Sequence, residues 1–135
     1  MMDEIIEDIA HMTFLRVKYI PVVEEITRED FIRYAVEARK AFDIQTCGYW
    51  ESSELPPDVV EYLVTDCELR FLRELYDRKE EAICCELCLL GVVHDEELTR
   101  FMHPLERLLQ KIKFLEVDAE MLMFRILNKQ QGGKQ

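Results

Sequence analysis

Glycine and proline occur only four times each in this 135-residue chain, and nowhere in a cluster that reads as a flexible linker or a series of hairpin turns. Long helices are the natural consequence. With so few glycines there is no Gly-x-x-x-x-Gly-Lys loop and no Gly-x-Gly-x-x-Gly turn, so the backbone cradle that holds phosphate in kinases, GTPases and dinucleotide enzymes is missing. Serine is scarcer still. Ser52 and Ser53 are the only two, and neither lies in a Gly-x-Ser-x-Gly elbow. Cys47 and the scattered His11, His94 and His103 specify no nucleophile and base. No Glu-x-x-His pair occurs, which argues against a di-iron carboxylate bundle. Asp8-x-x-His11 is the nearest approach and reads as a solvated face.

Long apolar runs are absent as well. The longest nearly uncharged stretch, Ala82 to Val93, contains Glu86 and is far short of the roughly 20 apolar residues that cross a bilayer. The N-terminus, Met1-Met2-Asp3-Glu4, lacks the positive region of a secretory signal, and five cysteines make an odd number. Reduced thiols in an intracellular setting, cytoplasmic or nuclear, are the expectation. Basic charge is the minority: 17 Lys and Arg against 28 Asp and Glu give −11, which opposes attraction to nucleic acid or an anionic membrane surface. The acidity is concentrated in Glu51 to Arg100, with 14 acids and 5 bases, whereas Phe101 to Gln135 has 4 acids and 6 bases.

What is plentiful is apolar residues, 49% of the chain, enough for one packed core at a length that suits one domain. The expectation is a single helical domain over 1–129 and a disordered tail over 130–135. No repeat of solenoid length occurs. Ile5, Ile9 and Met12 stand at helical spacing, and Leu15 to Tyr19 alternates as a strand does; we read a helix continuing to Pro21. Thr27-x-x-Asp30 is a capping signal ahead of Phe31, Ala35, Ala38 and Phe42, which line one face. Asp43 to Leu55 reads as a loop, and Pro57 as the first turn of a third helix that ends near Gly91. That helix is apolar on more than one side, through Val60, Val64, Cys67 and Phe71 and through Leu69, Leu72, Tyr76 and Ile83, and is expected at the centre. Asp95 can cap the last helix, where Leu98, Phe101, Leu105, Leu108, Ile112, Leu115, Ala119, Leu122 and Ile126 alternate by three and four. Pro104 predicts a kink. The fold class is therefore all-α, a four- to five-helix bundle with a long C-terminal helix kinked near Pro104.

Cys84-Cys85-x-x-Cys88 invites a zinc reading, with Cys67, His94 or His103 as a fourth ligand, but no second Cys-x-x-Cys pair exists. Packing as small buried hydrophobes is the preferred expectation, and no metal or cofactor is assigned. Glu68, Glu74, Glu80 and Glu81 read as a wet face, with Arg70, Arg73 and Arg78 supplying local ion pairs. Arg107, Lys111, Lys113, Arg125 and Lys129 read as an ordinary solvated face rather than a nucleic-acid stripe. Trp50, beside Tyr49, is either an interface anchor or a plug for the bundle end, with the plug preferred.

The C-terminal helix is apolar nearly all round. Phe114, Val117, Met121 and Phe124 form a second seam, more apolar surface than one packed face needs. Leu115, Met121, Leu122, Met123, Phe124, Ile126, Leu127 and Trp50 are accordingly the candidate partner-binding residues, set against the competing possibility that the helix simply fills its own core. The expected function is non-enzymatic: a helical assembly or adaptor subunit that binds itself or another helical subunit. The alternatives are an acidic regulator of a basic or nucleic-acid-binding partner, and a small zinc or thiol protein using Cys84, Cys85 and Cys88.

Overall fold

Four α-helices follow one another in the computed structural model, which describes residues 4–20, 26–50, 55–91 and 95–132: α1 (Glu4–Val17), α2 (Arg28–Gln45), α3 (Pro57–Leu90) and α4 (Asp95–Gly132). They pack as an all-α bundle, and α4 is bent at residue 101. The bend falls one turn before Pro104, because a proline ring inside a helix collides with the carbonyl four residues earlier and leaves it without its amide partner.

Local chemistry sets the helix ends. Thr27 caps α2 reciprocally with Asp30: the Thr27 hydroxyl accepts from the Asp30 amide, and the Asp30 carboxylate accepts from the Thr27 amide at 3.0 Å. The backbone hydrogen bond from Thr27 holds the Asp30 carboxyl below its ordinary range. Helix α2 runs through Gln45, three residues into the segment expected as loop. It closes with Cys47 and Gly48 in the left-handed region and the Gly48 amide on the Asp43 carbonyl. Pro57 opens α3 and Gly91 closes it at φ 80°, as expected. Helix α1 stops at Val17 rather than continuing to Pro21, and a turn follows, with Ile20 donating to the Val17 carbonyl. A residue ahead of a proline is pushed out of the helical region, which works against extending the helix that far. Ser52, Ser53 and His94 lie outside the described residues, as does the side chain of Asp95 on which the suggested cap depends.

Helix α3 is the centre: it packs against each of the other three, and α1 and α2 also pack on one another. The pairs Tyr62–Gln45 and Arg33–Glu74 set α2 antiparallel to α3, and Asp58–Lys129 with Arg73–Glu116 set α4 antiparallel to it. The core gathers Ile9 and Val17 of α1, Phe31, Ala35 and Phe42 of α2, Leu63, Val64, Cys67, Phe71 and Leu72 of α3, and Ile112 and Ile126 of α4. Phe31 stacks on Phe71 and meets Phe14 and Tyr34 edge-on. At about 1.5 Å per residue, α1 and α2 span only about 21 and 27 Å, against about 51 Å for α3 and 57 Å for α4. Beyond Leu75 no described residue of α3 is fully buried, so the distal parts of α3 and α4 form a two-helix arm beside a four-helix body.

Gln130 to Gly132, expected in a tail, belong to α4. Helix α4 runs to Gly132, and Gln130 is buried, its amide donating to the Thr46 carbonyl at 3.1 Å across the bundle end. Glu68 also departs from expectation. It is buried, not wet, and lies 3.6 Å from Arg16, whose guanidinium also grips Glu61 through both carboxylate oxygens at 2.6 and 2.7 Å.

Candidate interaction surface

The two apolar stripes of α4 have different fates, and helical geometry says why. Leu105, Ile112, Ala119 and Ile126 are buried and stand seven residues apart, with Leu108, Leu115 and Leu122 half-buried between them. This is an a/d seam, and it is the one that joins α3 and the core. Phe114, Val117, Met121 and Phe124 are displaced from it by two residues, or about 200° of rotation at 100° per residue. They therefore look away from α3. Their exposures are 74%, 54%, 52% and 68%, while Ile126 is at 0%.

The spacing of the exposed set is three, four, three, again that of a coiled-coil seam. Two aromatic rings and two aliphatic side chains exposed to this degree present on the order of 400 Å² of contiguous apolar surface, within the size range of functional patches on soluble domains. Its flanks are charged. Lys113 and Glu120 border one side, Asp118 and Arg125 the other, all four exposed. Glu120, Met121, Phe124 and Arg125 line a shallow depression, and a second groove alongside takes in Met123, Phe124 and Leu127 with Tyr62, Leu69 and Arg73. Among the described residues Lys113, Asp118 and Glu120 have no ion-pair partner within the chain. The nearby pairs Arg73–Glu116 and Lys129–Asp58 go to α3 instead. Lys129 draws the Asp58 carboxyl below its ordinary range, with Arg125 contributing from farther away.

The expected partner-binding residues thus separate. Met121 and Phe124 lie on the outward seam. Leu115, Leu122 and Met123 are half-buried and packed against the core, Leu127 is half-buried beside the second groove, and Ile126 is a core residue, corrected here from the surface set. Trp50 is half-buried against the core with Tyr49 edge-on to it at 4.9 Å, and its carbonyl accepts from Arg39 at 2.9 Å. Phe114 and Val117 complete the outward seam but were absent from the expected set; the signal for them was the heptad offset from Ile112 and Leu115.

The remaining candidate chemistry does not converge. Cys84, Cys85 and Cys88 are exposed on the arm rather than packed as core, because this part of α3 has no α1 or α2 beside it. Among the described residues no group of three His, Cys, Asp or Glu side chains is placed to hold a metal ion. Cys67 is the buried thiol, and desolvation pushes its pKa up to about 12, far from a reactive thiolate. Glu68 is the buried carboxyl, and burial raises it against the pull of Lys111 and Arg16. An open groove between α1 and α2, lined by Glu7, Asp8, His11, Phe14, Arg28 and Phe31, adds no convergent set. No described helix is long and apolar enough to cross a membrane. Comparison with protein-family models, with curated proteins and with solved structures finds no match.

Proposed function

We propose that this chain is a helical assembly subunit with no reaction of its own, which binds a protein helix along the outward seam of α4. The observation that carries the reading is the three-four-three spacing of exposed Phe114, Val117, Met121 and Phe124 on the side of α4 opposite its core seam. A helix with apolar stripes about 200° apart covers both only by lying between two layers, and the bundle supplies one of them. Met121 suits such a contact because its thioether adapts to the shape it meets.

Comparative affinity capture tests it, with tagged wild-type chain and a Phe114→Glu/Phe124→Glu variant whose fold is verified by circular dichroism. A binding protein, or an untagged copy of the chain, held by the wild type and lost by the folded variant supports the reading. Identical captures by both refute it. Raised salt separates this reading from that of an acidic regulator, since an apolar seam survives screening and a charge-led complex weakens. The acidic reading has less support in the fold, where Glu61, Asp66, Glu74 and Glu116 are engaged by arginines of the same chain.

A further inference from the structure

We propose that the outward seam of α4 is covered by the same seam of a second copy, running antiparallel about a two-fold axis at Ala119; this rests on reading the seam as an interaction face. The sequence around Ala119 repeats in kind when read backwards. Lys113-Phe114 stands against Phe124-Arg125 at the ends, Val117 against Met121 within, and Asp118 against Glu120 beside the centre. A two-fold axis perpendicular to a helix uses such a pattern, since each copy meets the other in reverse.

The layers and the charges both follow. Phe114 meets Phe124 of the second copy, and Val117 meets its Met121, so the four seam positions pack with an aromatic pair at each end. In an antiparallel pair each flank faces its own equivalent reversed. Lys113 then stands beside Glu120 of the second copy, and Asp118 beside its Arg125, each contact occurring twice. Each flanking charge is exposed in the single chain and has an opposite charge of the second copy on its flank, with Glu120 and Asp118 also lying near their own equivalents beside the axis. A parallel pair also matches the flanking signs, but it sets Arg107, two seam positions before Phe114 with Gln110 between, against Arg107 of the second copy. The antiparallel pair brings Gln131 there instead.

The experiment is the solution mass of the full chain by sedimentation equilibrium, for the wild type and four variants checked for fold by circular dichroism. A dimeric wild type and a folded, monomeric Phe124→Glu variant are expected. Lys113→Glu sets like charges together and is expected to weaken the dimer about tenfold. Lys113→Glu/Glu120→Lys restores it, because the pair is re-formed with its signs exchanged. Lys113→Glu/Asp118→Lys does not, because each new charge then faces its like. Restoration by the second double variant and not the first overturns the antiparallel pairing. A wild type with the mass of one chain at every concentration overturns the second copy as occupant, and the capture experiment then decides separately whether the seam binds another protein. A dimer indifferent to Phe124→Glu also overturns the proposal.

Discussion

Replacing Phe124 and Ile126 by alanine, one at a time, separates the two faces of α4 with residues only two positions apart. Ile126 is fully enclosed, so its truncation removes buried methylenes and leaves a cavity, at a cost of about 2–5 kcal/mol in unfolding free energy. Phe124 is 68% exposed, so most of its ring has no intramolecular contact to lose, and the folded monomer is expected to change by less than about 1 kcal/mol. Association reverses the order. Covering the exposed part of a ring of roughly 200 Å² at about 25 cal/mol per Å² is worth about 3 kcal/mol per copy. That is roughly a hundredfold in affinity for a partner that meets one seam, and about ten-thousandfold in a symmetric pair. Urea unfolding gives the first quantity and sedimentation equilibrium the second. Unfolding is measured at the lowest practical concentration, because association itself stabilises the folded chain. A Phe124→Ala variant destabilised as much as Ile126→Ala refutes the division of faces; one that associates as tightly as the wild type refutes the seam as the contact.

Other outcomes follow from single side chains. An alkylating reagent should modify Cys47, Cys84, Cys85 and Cys88 in the native protein and reach Cys67 only on unfolding, read by mass spectrometry. Rapid native labelling of Cys67 contradicts its burial. Thr27→Ala removes one arm of the reciprocal cap and should lower stability by about 1 kcal/mol, a fall of a few degrees in Tm. Burial raises the Glu68 pKa in the folded state, so folding favours its protonated form. That contribution is fully present below the ordinary value of 4.5 and is lost as the pH rises through the raised native value. Glu68→Gln removes this titration, so wild-type stability should fall relative to the variant between acid and neutral pH; a constant difference across the range contradicts the shift.

The elements most legible in the sequence were those specified by local chemistry. Thr27 with Asp30, Pro57 and Gly91 each act within a few residues of chain, and the helix ends they announce are where the structure has them. The end of α1 was less so, because the alternation from Leu15 to Tyr19 fits helix and strand patterns alike. The fates of Glu68 and of Cys84, Cys85 and Cys88 were illegible for a different reason. All four lie on α3, and their surroundings depend on which helices lie beside each part of it, a matter of tertiary arrangement. Glu68 falls within the four-helix body, where Arg16 of α1 reaches it. The three cysteines fall on the arm, where a side chain that is small and apolar in character nevertheless faces outward. Gln130 was assigned to a tail on composition, yet its amide closes the bundle end against Thr46.

Exposure alone does not single out the α4 seam. Tyr19, Ile44 and Leu89 are each more exposed than any of its four residues, but they stand apart, in the turn after α1, on α2 and on α3, and single exposed apolar side chains are ordinary. The seam differs in being periodic. Four apolar side chains recur at the spacing that keeps one stripe of a helix in line, and an acid and a base recur on each flank at an interval of seven. Solvation of α4 alone requires neither regularity, since any polar side chain serves a wet face. The core seam of the same helix shows what the regularity accomplishes: where Leu105, Ile112, Ala119 and Ile126 repeat, another helix lies against them. On the proposed reading the second stripe takes a second helix in the same way, and the reversal of its pattern about Ala119 fits its own copy.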